Sequence, residues 1–124
     1  MSVLGLALPT VLLAAPAAEA SPPRLDSGIR GLVLYGPTCP VQRPGQTCVR
    51  PLRAWIAIKR EPVGTVAARV RSGPTGRFMA LLRAGHYLLV PQNGRPYPRA
   101  ASRAITVNRH RFSTVTIRFD SGIR

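Results

Sequence analysis

The stretch from Val66 to Val90, VAARVRSGPTGRFMALLRAGHYLLV, contains three apolar runs separated by two short turns. The turns are GPTG at residues 73–76 and RAGH at residues 83–86, and each contains the glycine that tight turns favour. Within each run, apolar side chains recur at every second position, which is the period of a β-strand with one buried face. The stretch therefore predicts three consecutive short strands.

Each of these strands is expected to bury one face, and the alternation predicts which one. The predicted inward-facing residues are Val66, Ala68 and Val70 in the first strand, Phe78, Ala80 and Leu82 in the second, and Tyr87 and Leu89 in the third, whereas Ala67, Arg69 and Arg71 are predicted to face outward. Phe78 and Tyr87 lie on either side of the second turn, so we expect the second and third strands to form a hairpin with both rings on its apolar face.

The same pattern extends to both sides of this stretch. Four further runs read as strands: residues 29–35, residues 53–60 with Ala54, Ile56 and Ile58 on one face, residues 103–107, and residues 112–119 with Ser113, Val115, Ile117 and Phe119 on one face. From residue 21 onward, no window shows the 3.6-residue apolar period of a helix. About seven short strands separated by turn residues predict an all-β sandwich.

The phrases Gly76-Arg77-Phe78 and Gly85-x-Tyr87-x-Leu89, each closing a turn and opening a strand, resemble those of the carboxypeptidase regulatory-like domain. GIRGLVLYGP at residues 28–37 and PLRAWIAI at residues 51–58 are similar to the first and second strands of that family. The resemblance covers roughly residues 28–119. It implies a transthyretin-like (prealbumin-like), seven-stranded Greek-key β-sandwich that serves as a non-catalytic module for adhesion, stabilisation or display. A fold of this kind does not itself name a ligand.

Residues 1–20 read as a secretory signal peptide. An apolar stretch runs from Val3 to Ala15, and Ala18-Glu19-Ala20 matches an A-x-A cleavage pattern, although the usual basic start is missing. We therefore predict a signal peptide at residues 1–20, a linker at 21–27 and the sandwich domain at 28–124. The predicted location is secreted or cell-envelope.

Two cysteines, Cys39 and Cys48, lie in the Pro- and Gly-containing segment CPVQRPGQTC. In an exported protein such a pair predicts a disulfide that closes a short loop. The alternative is a metal site, but zinc needs about four ligands, and His86 and His110 share no ligand spacing with the cysteines. No metal or cofactor site is predicted.

The charge is strongly positive, with 18 Lys and Arg against 4 Asp and Glu and a formal net charge of +14. The arginines are scattered and form no basic run, so two interpretations stay open: generic surface charge, or contact with an anionic partner. The candidate anion contacts are Arg95 and Arg99 around Tyr97 in RPYPR, and Arg109 and Arg111 in NRHR. Nucleic acid is disfavoured because aromatic residues that could stack on bases are few.

No arrangement of residues predicts catalysis. The carboxylates Asp26, Glu61 and Asp120 have no obvious catalytic partners, and His86 and His110 are expected to be solvated without a neighbouring acid or nucleophile. An internal isopeptide bond from Lys59 to Asn108 or Asp120 is disfavoured because a lysine is rarely buried unless it is paired. We predict a monomeric, non-catalytic module that binds a cell-surface or secreted protein or a polysaccharide. The alternative is a basic protein that contacts nucleic acid, anionic lipid or an acidic wall polymer.

A near-identical phrase occurs twice, as RLDSGIR at residues 24–30 and RFDSGIR at residues 118–124. The first copy leads into the first predicted strand and the second follows the last one, so we expect the two to mark related sheet edges. Backbone roles are predicted for Gly28 and Gly122, and ion pairs to arginine for Asp26 or Asp120.

Overall fold

The computed structural model describes Gly5 and residues 25–124. The predicted signal peptide, apart from Gly5, and residues 21–24 of the predicted linker lie outside the described residues. The described part of the chain forms strands and no helix, which confirms the all-β prediction. The strands are β1 (Gly28–Gly36), β2 (Arg50–Pro51), β3 (Trp55–Arg60), β4 (Val66–Arg71), β5 (Arg77–Leu81), β6 (Gly85–Pro91), β7 (Arg103–Val107) and β8 (Phe112–Asp120). The two-residue β2 raises the strand number from the predicted seven to eight.

The strands form two four-stranded sheets. In sheet A, β1 is central: it pairs antiparallel with β2 and β5 on one side and parallel with β8 on the other. Sheet B has the order β4-β3-β6-β7, with all neighbours antiparallel. The two sheets pack face to face as a sandwich.

The core lies between the sheets and contains the predicted inward faces of β3, β5, β6 and β8. The fully or almost fully buried side chains are Ile29, Val33, Ile56, Ile58, Phe78, Ala80, Leu82, Tyr87, Leu89, Val107, Ile117 and Phe119. Burying one large apolar side chain stabilises a fold by about 1.5–3 kcal/mol, so this layer is the main favourable contribution to the fold.

The expected hairpin between β5 and β6 is wrong. β5 pairs with β1 in sheet A, whereas β6 pairs with β3 in sheet B. Phe78 and Tyr87 are both buried, but they belong to opposite layers of the sandwich. The chain crosses between sheets just after β5, where Leu82 and Ser27 exchange two hydrogen bonds: the Leu82 N–H donates to the Ser27 carbonyl, and the Ser27 hydroxyl donates to the Leu82 carbonyl. Because β5 and β6 lie in different sheets, each buries its apolar face against the opposite sheet. An isolated two-stranded hairpin has no facing sheet to cover its apolar side.

The predicted orientation of Val66 is also wrong. The register of β3 with β4 shifts between Ile58 and Lys59, so that Ile58 lies opposite Ala68 while Lys59 lies opposite Val66. Ala67 is therefore the extra residue of a β-bulge, and the alternation reverses beyond it. Val66 is 43% exposed, and Ala67 packs against the core.

The first and last strands are neighbours, but the expectation that both copies of the repeated phrase mark sheet edges is wrong for the first copy, because β1 is central in sheet A and of the two strands only β8 is an edge strand. Because β1 and β8 run parallel, with Gly28 opposite Phe112 and Gly36 opposite Asp120, the two copies lie at opposite ends of the pair. Both predicted glycine roles are confirmed. A side chain at Gly28 would overlap the Ala80 carbonyl oxygen, and Gly122 has φ +85°, which favours glycine.

Candidate anion-binding groove

The outer face of sheet A carries cationic side chains that the strand register brings together. Ile29 and Val33 of β1 point into the core, so Arg30 and Leu32 point outward. Arg30 lies opposite Thr114 of β8, and Leu32 lies between Thr116 of β8 and Arg77 of β5. The outward positions of three strands therefore form one continuous surface.

A groove of about 700 Å³ runs along this surface. β8 contributes five consecutive residues, 114–118, while Ala101 and residue 103, at the start of β7, form the far wall. Four arginines line the groove, one from each of four strands: Arg30, Arg77, Arg103 and Arg118. All four are exposed, and no carboxylate is among the lining residues. We call this feature the arginine groove.

Two contacts hold arginines in place along the groove. The guanidinium of Arg30 stacks over the Phe112 ring at 4.5 Å from its centroid, which is cation–π geometry. Arg103 Nη1 donates to the Thr116 carbonyl at 3.3 Å. These contacts direct two of the positive charges along β8.

The positive charge of the groove is not neutralised within the described residues. The two ion pairs there use other cations: His110 with Asp26, and Arg124 with Asp120. Asp120 follows Arg118 by two residues, but its carboxylate accepts from Arg124 and from the Gly122 N–H. Four like charges on one surface repel each other, so an anion bound among them is favoured electrostatically.

The arginines chosen from sequence are not brought together. Arg99 exchanges backbone hydrogen bonds with Asp120 at the end of β8, whereas the Arg111 carbonyl accepts from Gly28 N–H at the beginning of β8. The strand rise from Arg111 to Asp120 places these two points about 30 Å apart. Arg95 and Arg109 lie in the corresponding loops, so the structure divides the predicted set between two ends of the sandwich.

The sequence did not predict that the four groove arginines form one site, and the reason is physical. Each occupies an outward position on its own strand, which on its own reads as ordinary surface charge. Their convergence depends on the pairing of both β8 and β5 with β1. Local residue patterns do not predict which distant strands pair with each other.

The histidines are surface residues, and one of them has an acidic partner. His110 Nδ1 lies 2.5 Å from Asp26 Oδ2, so the expectation that neither histidine has a neighbouring acid is wrong for His110. The predicted partner of Asp26, an arginine, is also replaced by this histidine. The Asp26 and His110 side chains are 62% and 78% exposed. His86 Nδ1 lies 3.1 Å from Thr106 Oγ1. These contacts connect surface segments that lie far apart in the sequence.

The predicted ion pair of Asp120 is confirmed and gives a pH-dependent contact. Hydrogen bonds from Arg124 and then from the Gly122 N–H hold the pKa of the Asp120 carboxyl below its ordinary value. Because the pKa is lower in the folded state, the ionised carboxylate stabilises the fold at pH values above the unfolded-state pKa of about 3.9. This stabilisation is lost as the pH falls through the lowered, folded-state pKa. Arg124→Gln is expected to raise the pKa of Asp120 towards its ordinary value in a ¹³C NMR titration.

Asp26 provides the control within the same titration. Its pKa is lowered chiefly by the hydrogen bond with His110, and it has no contact with Arg124. Its titration should be the same in both proteins. An unchanged Asp120 titration in the variant would contradict the assignment of Arg124 as the cause.

The predicted disulfide is present between Cys39 and Cys48. Cys48 is buried, whereas most of the loop between the two cysteines is exposed. The described residues contain no group of three or more metal-ligating side chains. They also contain no helix long and apolar enough to cross a membrane.

A second surface lies on the outer face of sheet B. Trp55 is 49% exposed there, as the alternation of β3 predicted, and Arg71 stands 5.8 Å from its ring centroid. Lys59 and Arg69 border the same shallow depression of about 640 Å³. Its lining has two cations, against four in the arginine groove.

Comparison with known proteins supports the fold and does not assign a family. No family model matches the chain, and no curated protein matches it. Among solved structures, GBS52, the minor pilin of the Gram-positive pathogen Streptococcus agalactiae, is similar at 16% identity with a TM-score of 0.57. The match covers 77% of this chain and 44% of the pilin chain, so it corresponds to less than half of that protein. At this identity the likeness shows the sandwich alone, and the resemblance to the carboxypeptidase regulatory-like domain is not confirmed.

Proposed function

We propose that this protein is a non-catalytic, extracytoplasmic β-sandwich module that binds an anionic partner in the arginine groove. The observation that carries the proposal is the convergence of Arg30, Arg77, Arg103 and Arg118 on one groove without a carboxylate among its lining residues. A guanidinium offers several fixed N–H donors and keeps its charge at all physiological pH values, so four of them suit carboxylate, phosphate or sulfate groups.

The groove gathers four of the 18 basic residues on one surface. A formal net charge of +14 destabilises a compact fold through self-repulsion, most of all where cations adjoin. An anionic partner removes that cost and is attracted from a distance. Binding is therefore expected to raise the melting temperature at low salt.

Three features support an extracytoplasmic location for the module. They are the signal-peptide pattern at residues 1–20, the Cys39–Cys48 disulfide, and the sandwich shared with a protein described as a minor pilin. Under this proposal the partner is an acidic surface polymer or an acidic secreted protein.

A matched pair of charge variants tests the proposal. In the groove variant, Arg30, Arg77, Arg103 and Arg118 are replaced together by glutamine. Short-chain inorganic polyphosphate is the probe, because it supplies anionic groups without any sequence. At low salt the groove variant is expected to lose about tenfold or more in affinity, and the slope of log affinity against log salt, about −3 for four contacts, should fall towards zero.

The control replaces four exposed arginines elsewhere, Arg43, Arg53, Arg60 and Arg83, by glutamine. Both variants lower the formal net charge by the same amount, so the comparison separates the groove from total charge. When both variants are compared at about 0.1 M salt, the control is expected to bind within about threefold of the parent protein, since exposed charges more than about 10 Å away are then screened. Equal losses in both variants would show that binding follows net charge and would refute the groove as the site.

A further inference from the structure

The backbone of β8 has one side that is paired and one that is open. At odd-numbered positions flanking or within β8, the amide groups face β1: the Arg111 carbonyl accepts from Gly28 N–H at 3.1 Å, and Ser121 N–H donates to the Gly36 carbonyl at 3.0 Å. Asp120 faces the other way and exchanges hydrogen bonds of 2.7 and 3.0 Å with Arg99. The direction therefore alternates with residue number, as it does in any strand.

The alternation identifies which groups are open. The N–H and C=O groups of Thr114, Thr116 and Arg118 point away from β1, in the same direction as those of Asp120. The Thr116 carbonyl shows this directly, because it accepts from Arg103 Nη1 at 3.3 Å. Among the described residues, the Arg99–Asp120 bridge is the one backbone pairing on that side of β8.

Neighbouring β7 does not cover this edge. β7 belongs to sheet B, where it pairs with β6 and not with β8. Arg103, the first residue of β7, reaches the Thr116 carbonyl through its side chain, and a second contact lies nearer the connecting turn. There the Ser113 hydroxyl donates to the Thr106 carbonyl at 2.5 Å. The open edge at residues 114–118 thus runs between this contact and the Arg99–Asp120 bridge. It coincides with the stretch of β8 that lines the arginine groove.

We propose that the groove receives an extended acidic polypeptide segment, which adds a strand to the open edge of β8; this inference rests on the proposed anion-binding function. Backbone hydrogen bonds form with Thr114, Thr116 and Arg118, and acidic side chains on alternate residues reach Arg118 and Arg103. In the free protein the Thr116 carbonyl accepts a hydrogen bond from Arg103 Nη1. On binding, the Arg103 guanidinium pairs with a carboxylate of the segment. The Thr116 carbonyl then accepts a hydrogen bond from a backbone N–H of the segment.

The charge of the edge argues for an acidic segment and against a second copy of this chain. Pairing β8 with β8 would bring Arg118 and Arg103 of both copies together without a free carboxylate. The carboxylate of β8, Asp120, is already held by Arg124. Like charges on adjacent strands destabilise pairing, so the edge disfavours self-association and favours a partner of opposite charge.

The ligand-side test uses the peptide acetyl-(Glu-Thr)₄-amide in three forms. One is unmodified, and two carry N-methyl groups on alternate residues, in either of the two frames. An added strand presents only every second N–H to the edge, so methylation in one frame should weaken binding at least about tenfold, whereas the other frame should change it less than about threefold. A segment held by charge alone would bind equally in all three forms, because N-methylation leaves every carboxylate in place.

The protein-side test uses hydrogen exchange and one proline substitution. On adding the unmodified peptide, the amides of Thr114, Thr116 and Arg118 should exchange more slowly, while those of Val115 and Ile117, already paired with β1, should change little. Thr116→Pro removes an N–H that faces the open edge and no bond to β1. It is expected to weaken peptide binding at least about tenfold relative to Thr116→Val, which also loses the hydroxyl but keeps the backbone N–H.

The possible results separate this inference from the proposed function. If polyphosphate binds and all three peptides bind alike, the groove binds anions without strand addition, and the inference fails while the proposed function stands. If neither probe binds at low salt, both fail. Concentration-dependent self-association that protects the Thr114 and Thr116 amides would assign the edge to a second copy and would also overturn the inference.

Discussion

Replacing Phe119 with alanine is expected to lower the free energy of unfolding by about 3–5 kcal/mol. Phe119 is 2% exposed and lies near the end of β8, on the core face that also buries Ile117. Removing the ring leaves a cavity between the two sheets that the surrounding β-strands cannot easily fill. A domain of this size has only about 5–15 kcal/mol of stability, so the loss should be large in a urea unfolding curve followed by circular dichroism.

The repeated phrase supplies a matched control for this variant. Leu25 occupies the position in RLDSGIR that Phe119 occupies in RFDSGIR, and it is 40% exposed. Leu25→Ala is expected to cost less than about 1 kcal/mol, because little apolar surface returns to water. Similar losses in the two variants would contradict the assignment of the two copies to different environments.

Removing the disulfide by the double substitution Cys39→Ser and Cys48→Ser is expected to cost about 2–3 kcal/mol. The two cysteines are nine positions apart, so the bond closes a short loop and restricts the unfolded chain. Cys48 is also 2% exposed, and a serine there needs a new hydrogen-bond partner. The measurement is a urea unfolding curve for each protein with and without a reducing agent.

The reducing agent provides the control for this second variant. It should destabilise the parent protein by an amount similar to the double substitution and should leave the double variant unchanged. An unchanged parent protein would mean that the bond is absent in solution or adds nothing to stability.

Much of the fold followed from local pattern. Alternation gave the buried faces of β3, β5, β6 and β8 because side chains on a strand point to opposite faces in turn. The alternation did not predict which of the two sheets a strand belongs to. Phe78 and Tyr87 are buried as predicted, yet a strand is equally apolar on its inner face whether its neighbour in sequence lies beside it or across the core.

Two other features depended on contacts between distant segments. The bulge opposite Ile58 and Lys59 reversed the alternation at Val66, and nothing in the local residues marks the extra position. His110 was expected to be solvated without an acidic partner, but the parallel pairing of β1 with β8 brings Asp26 to the turn that precedes β8.

The candidate site was less accessible to sequence than the fold was. RPYPR and NRHR were predicted as anion contacts because their cations are close together in the sequence. In the structure the two motifs lie at opposite ends of β8. The groove arginines are adjacent only in space, and each comes from a different strand. Composition left an anionic partner open as one of two interpretations, and the strand pairing brings together the four arginines of the groove.

An NMR titration of the protein with short-chain polyphosphate at low salt shows directly whether the arginine groove binds anions. Amide shifts are expected to concentrate around Arg30, Arg77, Arg103 and residues 114–118. Residues 95–99, residues 109–111 and the surface around Trp55 should change little. Shifts centred on those other regions, or spread evenly over all exposed arginines, would contradict the arginine groove as the binding site.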